Sequence, residues 1–186
     1  MQTQLKKSFD KKGYNCGGSS LKIMCWYAVS VLFFKSGLMP FSSILVLILR
    51  LFGAKIGKDV RIKPGLYVRY PWNLSVGDHS WLADCYIENL DKVVIGKNVC
   101  ISQQAMLLTG NHNYKSVDFE LSTKPILLKD GVWIGAKAIV CPGVTANSHA
   151  MLTTGSIASK DLDPYYIYMG NPAFRIRRRE ISPAIL

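Results

Sequence analysis

Only three histidines occur in this 186-residue chain, and they stand in different company. An imidazole titrates near neutral pH, so it can take a proton from a hydroxyl and return it within one catalytic cycle. His79 and His149 each follow an aliphatic residue by three positions, Val76 and Ala146, inside stretches of regular apolar spacing. Both are expected to be outward-facing surface residues. His112 lies in Thr109-Gly110-Asn111-His112-Asn113-Tyr114, a polar run between apolar ones, and is the candidate general base. No G-x-S-x-G elbow is present to support a Ser-His-Asp hydrolase. No second histidine stands close to His112, so a three-histidine zinc site is not expected, and no metal is called for. The five cysteines, Cys16, Cys25, Cys85, Cys100 and Cys141, are odd in number and form no C-x-x-C pair. They read as reduced, buried thiols of a cytoplasmic protein.

The elements that must hold His112 are set by a repeat of six. Leu128, Ile134, Val140, Ala146, Leu152 and Ala158 follow one another at that interval, and Val132, Ala138, Val144, Ala150 and Ser156 form a second column of small or β-branched side chains. The period returns upstream at Ile56, Ile62 and Val68, at Val76 and Leu82, and at Ile95, Ile101 and Leu107, with offsets between the blocks. The dipeptide Ile/Val-Gly recurs at Ile56-Gly57, Val76-Gly77, Ile95-Gly96 and Ile134-Gly135, where a side chain would crowd the next coil. Neither a 3.6-residue helical period nor hairpin turn signals dominate. Six residues cannot hold a core alone, so the units must stack into a parallel β-solenoid, an all-β fold. The register stops after Leu107 and resumes at Leu128, which makes 111–123 a loop excursion from a rigid scaffold, carrying His112.

Around the solenoid, 54–172, the chain divides into three further parts. Residues 1–20 are polar and Gly-rich and are expected to be disordered, with no secretory signal. Residues 21–53 are densely apolar and predict two short helices broken near Lys35–Pro40, too short to span a bilayer. They are expected to cap the open end of the solenoid; the rival expectation is peripheral contact with a membrane surface through Trp26, Tyr27, Phe33 and Phe34. Residues 173–186 read as a basic C-terminal tail. The net charge of +11, from 23 Lys and Arg against 12 Asp and Glu, favours a polyanionic partner.

The two columns, the Ile-Gly corners, the stretch Val132-Trp133-Ile134-Gly135-Ala136 followed by Pro142-Gly143-Val144-Thr145, and the terminal Gly170-Asn171-Pro172-Ala173 resemble the hexapeptide-repeat acyltransferases. The likeness is greatest to the colanic-acid-type and the maltose and galactoside O-acetyltransferases, over roughly residues 50 to 178. The resemblance implies a left-handed β-helix, a homotrimer with sites between subunits, acetyl-CoA as acyl donor, and a saccharide acceptor, free, nucleotide-linked or lipid-linked. It implies O-acetylation of a sugar hydroxyl in bacterial surface polysaccharide biosynthesis, with His112 as base. It also maps CoA contacts onto Ala136, Thr154, Ser159 and Lys160; the basic cluster Arg175, Arg177, Arg178 and Arg179 could then meet the CoA phosphates through charge-assisted hydrogen bonds, with Arg175 and Arg177 the named candidates. Phe174 stands where the family usually has Lys or Arg. The family's assisting Asn falls near Leu82 here, which leaves Asn89 or Asp91 to take its place, and Trp133 would face the acceptor.

Three other classes compete. An amino-sugar N-acyltransferase would share every feature above. A nucleic-acid-binding module would use the charge, but the basic cluster is confined to the tail and no aromatic-basic motif accompanies it, so no nucleic acid is expected. A non-catalytic scaffold would explain the repeat but not a histidine placed where the repeat breaks.

Overall fold

The computed structural model describes residues 13–183 together with 2, 3 and 5. Two- and three-residue strands wind into a three-sided parallel β-solenoid of five full coils and a partial sixth. Sheet A stacks Lys55–Ile56, Leu74–Val76, Val93–Ile95, Ile126–Leu128 and Thr145–Ala146. Sheet B stacks Arg61–Ile62, Trp81–Leu82, Cys100–Ile101, Trp133–Ile134 and Met151–Leu152, then Tyr166–Gly170 and Ala173–Arg178. Sheet C stacks Tyr67–Val68, Tyr86–Glu88, Met106–Leu108, Ile139–Val140 and Ile157–Ala158. Neighbours in all three are parallel except the last pair of sheet B.

Every member of both sequence columns is buried, from Ile56 to Ala158 and from Val132 to Ser156. Each side of a coil contributes one member of the main column, and its repetition from side to side gives the six-residue period; Leu74–Val76, Val93–Ile95 and Ile126–Leu128 bury a second side chain. The corner glycines are demanded by the stack. A Cβ on Gly77 would lie 2.6 Å from the backbone of Gly96, and one on Gly135 would lie 2.6 Å from the Thr154 amide. Ser80 and Ser156, two of the polar residues in the interior, are satisfied: the Ser80 hydroxyl donates to the Gly96 carbonyl at 2.8 Å and accepts from the Val99 amide at 3.1 Å, and Ser156 Oγ accepts from the Gly170 amide at 3.0 Å.

The apolar segment forms α1 (Ser20–Val29), a continuing π-helical stretch Ser30–Lys35, and α2 (Ser42–Leu51). These cap the open end on all three sides. The Arg50 guanidinium donates to the carbonyls of Ile56 and Gly57 below sheet A. Ser42 Oγ accepts from the Ile62 amide at 2.8 Å below sheet B, and Trp26 Nε1 donates to the Val68 carbonyl at 2.9 Å below sheet C. Leu45 and Leu49 close the apolar interior. A sheet edge and a core are thus covered together. Trp26 and Phe34 are buried in this cap, in edge contact at 5.4 Å, so they are unavailable to a membrane; the expectation that they insert is corrected.

Two boundaries also change. Residues 13–20, expected to be disordered, lie against the solenoid: the Tyr14 hydroxyl donates to the Leu90 carbonyl at 2.9 Å, and Trp72 Nε1 donates to the Cys16 carbonyl. Aromatic anchors in a polar stretch account for the miss; residues 1, 4 and 6–12 lie outside the described residues. The supposed tail at 173–186 begins with a strand, Ala173–Arg178, antiparallel to Tyr166–Gly170. The Arg179 guanidinium ties it down through the carbonyls of Gly131, at 2.9 Å, and His149, at 3.2 Å.

Candidate active site

The excursion between Leu108 and Ile126 leaves the corner that joins sheet C to sheet A in the third coil. It is a two-stranded hairpin, not an open loop: Gly110–His112 pairs antiparallel with Leu121–Thr123. Its base is fixed by Thr109, which is fully buried. The Thr109 hydroxyl donates to the Glu88 carbonyl at 2.8 Å and accepts from the Asp91 amide at 3.0 Å, and the Thr109 carbonyl accepts from the Lys124 amide at 2.9 Å. At Gly110, which follows, a Cβ would stand 2.7 Å from the end of the Leu90 side chain, so a larger residue there would displace Leu90. The Thr-Gly pair is therefore the hinge plate of the hairpin, a positional role.

His112 is exposed on this hairpin and held in one orientation. Its Nδ1 lies 2.9 Å from the Phe119 carbonyl oxygen, and its ring stacks on the Phe119 ring at 4.4 Å with an interplanar angle of 8°. A carbonyl only accepts, so Nδ1 carries the hydrogen and Nε2 keeps the lone pair. The hairpin overhangs a cleft of about 750 Å³ whose walls include His112, Tyr114, Lys115, Lys124, Cys141 and Ser159. Desolvation pushes the Cys141 thiol up, which keeps it protonated at neutral pH and unsuited to be a nucleophile. Among the described residues no cluster of His, Cys, Asp or Glu could hold a metal ion. Phe119, which supplies both restraints on His112, carried no signal in the sequence, because its partnership depends on the hairpin's register.

Ser159 shares the cleft with His112, and Lys160 follows it at the same sheet C to sheet A corner. Ala136 and Thr154 lie together one corner away, between sheets B and C, where the Gly155 amide donates to the Ala136 carbonyl at 2.9 Å. The strip of sheet C between these corners, Ile139–Val140 and Ile157–Ala158, connects the two pairs. Arg175 is exposed, 3.3 Å from Asp163 and over the Tyr166 ring at 4.6 Å; Arg177 is exposed on the same strand. Asp91 is half-buried at the corner one coil below the hairpin, its carboxylate accepting from the Lys92 amide.

Asn89 is corrected. Its side chain is fully buried, accepting from the Tyr70 amide at 2.9 Å and donating to the Tyr70 carbonyl at 2.6 Å, so it has no face for a substrate. An amide bridging two coils had the sequence appearance of a turn residue. Trp133 is 40 % exposed on sheet B, its Nε1 donating to Ser102 Oγ at 3.0 Å, and is not among the residues lining the His112 cleft of its own chain. His79 is exposed in a left-handed turn and His149 stacks on Tyr165, both away from the cleft.

The chain is 36% identical over 169 residues to the WcaF protein of Escherichia coli K12, a proposed colanic acid biosynthesis acetyltransferase, covering 90% of this chain and 92% of that one. It belongs to the hexapeptide-repeat acetyltransferases. Galactoside O-acetyltransferase of E. coli K12 is 32% identical over 129 residues, 67% of this chain and 63% of that one. A hexapeptide-repeat acetyltransferase of Vibrio cholerae, solved with acetyl-CoA, superposes with a TM-score of 0.78 at 20% identity, over 89% of this chain and 92% of that one. No family model matches the chain.

Proposed function

We propose that this acetyltransferase moves an acetyl group from acetyl-CoA to a hydroxyl of a saccharide acceptor in surface polysaccharide biosynthesis, with His112 as general base. The observation that carries the reading is the pairing of His112 Nδ1 with the Phe119 carbonyl above an open cleft. Nε2 removes the hydroxyl proton as the sugar oxygen attacks the thioester carbon. The C–S bond of the resulting tetrahedral adduct breaks, and the imidazolium returns its proton to the departing thiolate, giving the ester and free CoA. The Phe119 carbonyl holds the Nδ1 hydrogen, and with it the ring's orientation, through both transfers. No enzyme-bound acyl group is required, in keeping with a protonated Cys141.

The donor would lie along the sheet C strip, its pantetheine arm between Ala136 and Thr154 at one corner and Ser159 and Lys160 at the other. Arg175 and Arg177 are the phosphate contacts in this arrangement. Arg177 is the freer of the two, since Arg175 already faces Asp163. Asp91, one coil below His112, remains the candidate to orient the acceptor. Trp133 bears on the acceptor only if it comes from another chain, and this favours a homotrimer in which sheet B of one subunit faces the hairpin of the next; a monomer would then be inactive. Among the described residues no helix is long and apolar enough to cross a membrane, and a cytoplasmic site of action agrees with use of acetyl-CoA. The test is incubation with labelled acetyl-CoA and a panel of free, nucleotide-linked and lipid-linked sugars, amino sugars included, with product identification by mass spectrometry. Label on a hydroxyl supports the reading; label confined to amino groups, or none, overturns it.

A further inference from the structure

Capping uses only one face of the helical segment. The opposite face carries Leu21, Met24, Leu32, Leu38, Phe41 and Leu47, each more than half exposed. Ten of the twenty-one large apolar side chains exposed among the described residues fall between Leu21 and Leu51. A concentration of this kind on one end of a molecule marks an interaction surface, whereas scattered exposed apolar residues do not.

The charges around it say what the partner is. From Asp10 to Asp59 the sequence contains no other acidic residue, while Lys22, Lys35, Arg50, Lys55 and Lys58 lie in or beside the helical segment. Lys35 reaches over the rings of Tyr27 and Tyr67, at 5.7 and 5.0 Å, at the border where α1 and its continuation meet sheet C. An apolar face borne by a segment that carries cations and no acidic residue suits an interface whose interior is hydrocarbon and whose surface is anionic. A second copy suits it poorly, because two such faces meeting would oppose cation to cation. We propose that the outer face of α1, the stretch Ser30–Lys35 and α2 docks this protein on an anionic lipid bilayer, lying in the headgroup region without crossing it.

The geometry gives docking a consequence. The hairpin of His112 springs from the third rung of sheet C, two rungs above Tyr67–Val68, and rungs are about 4.8 Å apart. The catalytic corner would therefore stand only about 10 Å of solenoid above the capped end.

The test is flotation of the full chain with vesicles of phosphatidylcholine, with and without phosphatidylglycerol, at low and high salt, with its mass in solution measured in parallel by light scattering. We expect flotation with the anionic vesicles and partial release by salt. Leu32→Glu/Leu47→Glu, at positions 64 % and 55 % exposed and outside the core, should weaken vesicle binding at least about tenfold. Lys35→Gln/Lys55→Gln should weaken binding to the anionic vesicles by about fivefold per lysine and leave the neutral ones unaffected. The proposal is overturned if the parental chain stays at the bottom of the gradient with anionic vesicles, or if the glutamate variant floats as the parent does. It is also overturned if that variant changes the mass in solution while flotation is absent, which would assign the face to contact between copies. The lysine variant keeps the test decisive should the glutamates impair folding. None of these readouts depends on acetyl transfer, so failure here and failure of the transferase reading are separate.

Discussion

His112→Ala should abolish acetyl transfer while leaving the solenoid standing, and the two magnitudes can be set side by side. Loss of a positioned general base costs about a hundredfold to ten-thousandfold in rate, equivalent to about 3–5 kcal/mol of barrier. The structural cost is far smaller. The substitution removes the hydrogen bond to the Phe119 carbonyl and the stack on the Phe119 ring, each worth about 0.5–1.5 kcal/mol in general and toward the lower end at an exposed site. That loss stays local, because Thr109 and Lys124 pin the hairpin base independently of His112. His112→Asn separates the two effects further, since its amide can still donate to the carbonyl but cannot act as base; it should be as inactive as the alanine variant with a better ordered hairpin. The assay is release of free CoA under saturating acceptor, with urea unfolding and CoA binding measured on the same samples. His79→Ala and His149→Ala, both remote from the cleft, should keep most activity. A folded, CoA-binding His112→Ala protein that transfers acetyl at the parental rate would refute the assignment and move the base elsewhere, with Asp91 next to be replaced.

Gly135→Ala should destabilise the chain by about 1–3 kcal/mol, because the new methyl meets the Thr154 amide, a backbone atom that cannot swing aside; urea unfolding reads this, and the KM for acetyl-CoA should rise because Ala136 and Thr154 share the corner. Arg177→Ala should raise the KM for acetyl-CoA with little effect on kcat or on a short acetyl donor lacking the nucleotide, whereas Arg179→Ala should lower stability instead, since that side chain ties the last strand to Gly131 and His149. Asp78 is held below the ordinary carboxylate range by the Lys58 amide and by Lys97. Its contribution to stability is thus fully present above that ordinary range and is lost as pH falls through the lower folded value, so the stability advantage of the parent over Asp78→Asn should vanish on acidification in urea titrations.

How much of this was legible in the sequence follows from what each residue depends on. The columns from Ile56 to Ala158 and the corner glycines are set by one local rule, inward side chain and close backbone, repeated at every coil; the burial of Ser156 in an apolar column obeys it too. His112 was legible as a break in that rule. Phe119 was not, because its carbonyl reaches Nδ1 only through the antiparallel register of a hairpin that carries no turn signature. Asn89 misled for the opposite reason: its side chain bonds to a backbone 19 residues earlier, a distance that only the stacking of coils makes short. The N-terminal helices were legible as a pair, but α1 shows almost no segregation of apolar from polar residues, so which ring turned inward could not be read before Trp26 was seen on the Val68 carbonyl.

A solenoid supplies a rigid ruler with three edges, and the candidate site residues are distributed by edge. The sheet C to sheet A corner carries, in successive coils, Asp91, the hairpin of His112, Cys141 and Ser159. The sheet B to sheet C corner carries Ala136 and Thr154, and sheet B itself carries Trp133. Within one chain, therefore, the base faces the last contact assigned to the donor but not the flat ring assigned to the acceptor. Rotation about an axis parallel to the solenoid would bring sheet B of one copy toward the hairpin of another while keeping rung heights aligned, so that Trp133, one rung past Cys100, arrives near the level of a hairpin rooted at Leu108. The same operation would point all copies' capped ends in one direction. Three apolar faces, each on a cation-bearing segment, would then lie in one plane, and a bilayer that holds one weakly would hold three far more tightly, since each further contact is made at high effective concentration. If the chain forms the proposed trimer and docks as proposed, each would support the other, and a chain substituted at its subunit contacts should lose vesicle binding along with its activity.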